Sequence, residues 1–356
     1  MLSLEVGGGL LALLAAILLG FVLVRRKIRK FADQFVNELA GMIEAMESIP
    51  PMRLRLESQE EILWLDLDTV NEFQSTFRKQ GFELIDDFEA INDLHEMEYM
   101  NVQAYCHPKK NAYAIIYEAG QIGVWVDVVS VYEDGSRFCI CWQVDDLMDQ
   151  PPQVQIEFLP DCLPSYLADT FFSHRSQGSF ASMSADLFVA DFENAHAALM
   201  DWRMERGGPT AEELQRIAKR AGQETTEDEI STTQAYWNDS YCEFLDYELG
   251  ENLHKERKMS EEDWESINES ILFVHDKLSP EAVIELFGYA FEEEEPFEKF
   301  YQEMLPKFKE NSPRSVFAEI NSSGKFRHIY GDYGQIAEPI EADVYLIPES
   351  AFEDEE

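Results

Sequence analysis

Residues 123 to 144 read G-V-W-V-D-V-V-S-V-Y-E-D-G-S-R-F-C-I-C-W-Q-V, two alternating apolar segments joined by Glu133-Asp134-Gly135-Ser136. Alternation on either side of an Asp-Gly link is a β-hairpin signal. Equally short polar links, Lys109-Lys110-Asn111 and Glu118-Ala119-Gly120, separate other candidate strands, which fall at 82–91, 97–106, 112–117, 123–132, 137–144 and 154–158. Connections of this length force neighbouring strands to run antiparallel, since a parallel pair needs a crossover of about a dozen residues or more. Ahead of them, Met52, Leu54 and Leu56 alternate with charged residues, and Val70, Phe73 and Phe77 line one face of a predicted helix from Thr69 to Gln80, stopped by Gly81. A second helix is expected from Tyr166 to His174, with Gln177-Gly178-Ser179 as a boundary. Residues 52–180 are therefore expected to form an antiparallel α+β domain with one or two helices packed on the sheet.

The second half is expected to be mainly helical over 181–312. Leu187, Phe188, Phe192, His196, Leu199 and Trp202 recur at helical period before Gly207-Gly208, and further helices are predicted at 226–256, 260–276, 280–291 and 297–309. Ser260-Glu261-Glu262-Asp263 resembles a capping box, and Pro209 and Pro280 stand where helices start. After Pro313, short alternating pieces at 315–320, 325–330 and 342–347 predict strands within 313–350 that rejoin the first sheet. An acidic tail, 351–356, closes the chain.

From Val6 to Val24 the chain carries no charge. At about 1.5 Å per residue this run reaches about 28 Å, close to the thickness of a bilayer core. Arg25, Arg26, Lys27, Arg29 and Lys30 follow at once, and a basic flank stays on the cytoplasmic side. The expectation is a single-pass bacterial inner-membrane protein: residues 1–5 outside, a transmembrane helix at 6–24, and the bulk of the chain cytoplasmic. An amphipathic juxtamembrane helix is expected at 25–49, with Ile28, Phe31, Phe35, Leu39, Met42 and Met46 as a stripe that packs on the chain's own soluble domain or pairs a homodimer, ended by Pro50-Pro51.

Lys and Arg total 28 against 70 for Asp and Glu, a net charge of −42. That surface repels phosphate backbones and excludes nucleic acid as a partner; it suits a basic protein. Five cysteines without dense spacing do not make a disulfide scaffold, and they fit a reducing compartment. Neither G-x-x-x-x-G-K-[ST] nor G-x-G-x-x-G after a strand is present, so no cofactor is expected.

Candidate chemistry is sparse. Cys139-Ile140-Cys141 puts two thiols on one strand face, where a metal would need further ligands that no second cysteine or histidine motif supplies; paired core residues are the expectation, with no metal. His95 and His107 could meet as an acid-base pocket. Asp127 shares a strand face with Trp125 and Val129, and a carboxylate buried there would have a shifted pKa. These observations point to a membrane-anchored binding or scaffold protein of unidentified ligand, or else to a tethered hydrolase with its pocket at Asp127, His95 and His107.

Overall fold

The computed structural model describes residues 49–92, 94, 97–119, 123–142, 148–160, 162–288, 294–322 and 337–347. The chain is a mixed α+β protein built on a seven-stranded sheet whose order follows the sequence. Strand β1 (Leu54–Ser58) is followed by α1 (Leu67–Lys79), then β2 (Glu83–Asn92), β3 (Met97–His107), β4 (Ala112–Ala119), β5 (Gly123–Val131), β6 (Arg137–Trp142) and β7 (Val154–Phe158). Helix α1 starts at Asp66, whose side chain accepts from Thr69 N at 3.1 Å. The β5–β6 hairpin turns as expected: Gly135 N donates to Tyr132 O, and Gly135 has φ +83°, the left-handed conformation glycine adopts without a Cβ penalty.

The five pairings from β1 to β6 are all antiparallel, and from β2 onward the connections are too short for the crossover that a parallel pair needs. The last pair corrects the expectation of a purely antiparallel sheet, because β7 runs parallel to β6. The 11-residue connection between Trp142 and Val154 is long enough to return the chain to the starting end of β6.

Both faces of the sheet are covered, which is why β6 has four consecutive buried residues. On one face, α1 and α2 (Pro164–His174) pack their aromatic side chains: Phe73 meets Trp142 at 4.9 Å, Phe77 meets Tyr105 at 5.6 Å, and Phe171 stacks on Phe138 at 5.5 Å. The other face carries α3 (Ala185–Glu205), with Phe188 between Phe88 and Tyr113. Polar ties fasten α3 to the first strand's edge: Arg53 to Asp201 at 2.8 Å and Leu56 N to Glu193 Oε1 at 2.9 Å.

Beyond α3 come α4 (Ala211–Arg220) and α5 (Glu227–Arg257), each opened by a threonine-glutamate capping box, then α6 (Glu261–Ile267). The helix expected over 260–276 ends early, because Ile271-Leu272-Phe273 is a β-rich apolar run that forms β8 (Ile271–Phe273). Helices α7 (Pro280–Glu285), α8 (Glu294–Met304) and α9 (Pro313–Ser322) build a second core around Phe287 and Phe317. Helix α9 corrects the strand expected at 315–320: Val316, Phe317 and Ile320 are buried at helical spacing behind Pro313. Strands β9 (Glu338–Glu341) and β10 (Val344–Leu346) do not rejoin the large sheet; β10 pairs with β8 and β9 in a separate three-stranded one. Residues 325–330 and 351–356 lie outside the described residues.

No helix among the described residues is long and apolar enough to cross a membrane. The longest, α3 and α5, have the length but are broken by charge throughout. This overturns the single-pass, inner-membrane reading with its N-terminus outside. The segments behind that reading, 1–5, 6–24 and the juxtamembrane stretch to residue 48 with Arg25, Arg26, Lys27, Arg29 and Lys30, lie outside the described residues. An uncharged run of sufficient length permits a span and does not by itself establish one.

Candidate functional site

Strand alternation divides the sequence-derived candidates between two faces. Val124, Val126 and Val128 of β5 point into the core under α1 and α2, so Trp125, Asp127 and Val129 point to the α3 side. His107 points the other way: it is buried with its ring 5.1 Å from Phe82 and 5.7 Å from Phe172. Burial, with Lys110 nearby, lowers its pKa, and its Nδ1 accepts from Lys109 N at 3.3 Å. It is a packed core histidine. The structure therefore sets Asp127 and His107 on opposite faces of one sheet, and His95 lies outside the described residues. The expected acid-base pocket of these three is not assembled by Asp127 and His107.

Asp127 meets other partners instead. Register places it directly across from Ile115 on β4 and Cys141 on β6, while Cys139 stands opposite Val129. The two thiol sulfurs are 3.5 Å apart. One atom from each of Asp127, Cys139 and Cys141 lies within 4.8 Å of the other two. Tyr117, stacked on Trp125 at 5.0 Å with the rings 13° from parallel, stands beside them. Burial pushes the Asp127 carboxyl up to about 6, although the neighbouring Cys141 thiol and Tyr117 hydroxyl favour its charged form. Its Oδ1 is buried and has no hydrogen-bond partner among the described residues. The Cys141 thiol favours the Cys139 thiolate, but burial and the Asp127 charge outweigh it and raise the Cys139 pKa. Cys141 is raised well above the ordinary range by its bond to Cys139, by burial and by Asp127. Burial first, then Asp127, raises Tyr117 as well. Without a bound group, the thiols and the phenol are neutral.

This cluster floors a cleft of about 470 Å³ between α3 and strands β4 to β7. Its walls are largely apolar: Ile115, Trp125, Val129 and Ile156 from the sheet face Phe192 and Leu199 from the helix. At the rim, Tyr113 Oη lies 2.9 Å from both Asp191 Oδ2 and Ser184 O. Burial lowers the pKa of Arg137, opposed by the Asp191 charge across from it. His196 also borders the cleft, yet its Nε2 is committed to Pro51 O at 2.6 Å; burial pulls its pKa down to about 4, so the neutral ring donates that bond.

Sequence patterning had marked Asp127, the cysteine pair and the α3 stripe separately. It missed Tyr117, Tyr113 and Asp191, and the only available signal was their strand or helix phase. No family model matches the chain, and neither a curated protein nor a solved structure matches it.

Proposed function

We propose that this chain is a binding protein that holds a small, predominantly apolar molecule in the cleft between α3 and strands β4 to β7. The observation that carries this reading is the cleft itself. Its volume of about 470 Å³ lies within the roughly 300–1,000 Å³ of ligand sites, and its walls combine broad apolar surface with a few convergent polar groups. An uncovered apolar concavity of that size costs solvation free energy, and an apolar guest would recover it. The titratable groups favour holding over turnover: His196 is bonded to backbone, and the thiols are held neutral.

The test is titration of the full chain with Nile red, a neutral apolar dye that the acidic surface neither attracts nor repels. Saturable one-to-one emission is expected, together with a change in Trp125 fluorescence. Ala195→Trp, which fills the cleft from α3, should abolish both while the far-ultraviolet circular dichroism stays unchanged. Dye binding that is indifferent to Ala195→Trp in the folded protein would refute the reading.

A further inference from the structure

We propose that Asp127, Cys139 and Cys141 form a site for one divalent thiophilic cation of the Zn²⁺ class, with the fourth coordination position open toward the cleft. Two small thiols on one strand face are explained by packing alone. Packing does not explain a buried carboxylate oxygen without a partner beside them, a costly arrangement that a cation would relieve.

The geometry suits such an ion. Two thiolates on a tetrahedral Zn²⁺, each about 2.3 Å from the metal, stand about 3.8 Å apart. Here the sulfurs are 3.5 Å apart, so small side-chain rotations admit the ion. The three ligand atoms already lie within 4.8 Å of one another, on adjacent strands whose pairing fixes them. Two sulfurs select a soft ion over Mg²⁺ or Ca²⁺, which take oxygen donors. Asp127 and Cys139 both line the cleft, which leaves the fourth position to water or to a donor atom of a guest. Tyr117, beside the carboxylate, would orient that ligand from behind.

Charge balance is favourable too. The empty cluster holds one carboxylate and two neutral thiols, net −1. Binding releases both thiol protons to water, and Zn²⁺ with two thiolates and one carboxylate is again net −1. The cation therefore enters without adding buried charge.

The site does not depend on the identity of any apolar guest, and its test is separate. With 70 acidic residues the chain will take up divalent ions on its surface, so the readout must count sulfur. Co²⁺ added to the reduced full chain should give thiolate-to-cobalt charge-transfer absorption at one equivalent, displaced by Zn²⁺ and untouched by Mg²⁺. Cys139→Ser and Cys141→Ser should each lose most of that absorption, and Asp127→Asn should weaken Co²⁺ binding by more than about 100-fold, beyond what removing an outer-shell partner usually costs. X-ray absorption of the wild-type zinc form should count two sulfur neighbours, which needs no variant to fold. Zero or four sulfurs, or charge-transfer bands that persist in both serine variants, would overturn the assignment. Nile red binding that survives in Cys139→Ser and Cys141→Ser would leave the cleft reading intact whichever way the metal result falls.

Discussion

The Glu213 carboxylate has no exposed surface, and Arg206 Nη2 reaches its Oε1 at 2.6 Å. The same carboxylate accepts from Asp149 N at 2.6 Å and Thr210 N at 2.5 Å, tying the segment before β7 to the start of α4. Glu213→Ala leaves the half-buried Arg206 guanidinium and two amides without this acceptor, and should destabilise the fold by about 3 kcal/mol. Glu213→Gln keeps the shape and loses the charge, and should cost about 1.5–3 kcal/mol. Urea unfolding of both variants measures this. Burial alone would raise the Glu213 pKa, but the Thr210 amide, Arg206 and the Asp149 amide outweigh it and hold it low. The wild-type advantage is then complete above the ordinary glutamate range and is lost as pH falls through the lowered folded value.

Gly135 supplies a second prediction. Its φ is +83°, and a Cβ built there meets nothing within 4 Å. Gly135→Ala therefore pays only the left-handed backbone penalty, about 1–2 kcal/mol, with no steric cost. Thermal unfolding should show that loss, with the far-ultraviolet circular dichroism unchanged.

Much of the sheet was legible because its information is local. Alternation sets which residues face which side, and links such as Glu133 to Ser136 allow only a hairpin. The parallel β7 was not legible, since Val154–Phe158 alternates equally well in either direction and only the longer connection before it permits the reversal. Residues 315–320 were misread because six residues with Val316, Phe317 and Ile320 apolar match both a strand and a helix period, and the second core decides between them. The cleft was legible in pieces. Asp127, the Cys139–Cys141 pair and the α3 stripe were each visible, but their meeting depends on the register that sets Asp127 across from Cys141. Tyr117 comes from a third strand, and no local pattern announces that it joins them.

His196 predicts an acid sensitivity of defined sign. Burial lowers its folded pKa to about 4, from an unfolded value near 6.5. A depressed folded pKa means that the stability from keeping this ring neutral is full above about pH 6.5 and is lost as pH falls toward 4. The size is on the order of 3 kcal/mol at its limit, reduced by whatever water reaches the ring through the cleft. His196→Gln can still donate to Pro51 O but does not titrate. Its unfolding free energy, compared with wild type at pH 7 and pH 4.5, should lack this component; an identical pH slope in both proteins would mean that the ring is solvated.

Asp127 should behave in the opposite sense. Its folded pKa, about 6, exceeds the unfolded value of about 3.8, so the fold prefers the protonated form. Its contribution is fully favourable below about pH 4 and is lost as pH rises through 6, which leaves the protein at pH 7 carrying a penalty on the order of 2–3 kcal/mol. Asp127→Asn removes the charge and keeps the shape. In the metal-free protein it should be more stable than wild type at pH 7 by about 2 kcal/mol and nearly equal to it at pH 4, measured by urea unfolding in the presence of chelator. The same comparison with saturating Zn²⁺ should reverse the order at pH 7, because the wild type then gains the binding free energy that the asparagine variant forfeits. A wild type that stays the less stable of the two with Zn²⁺ present would leave the Asp127 penalty unrelieved by metal.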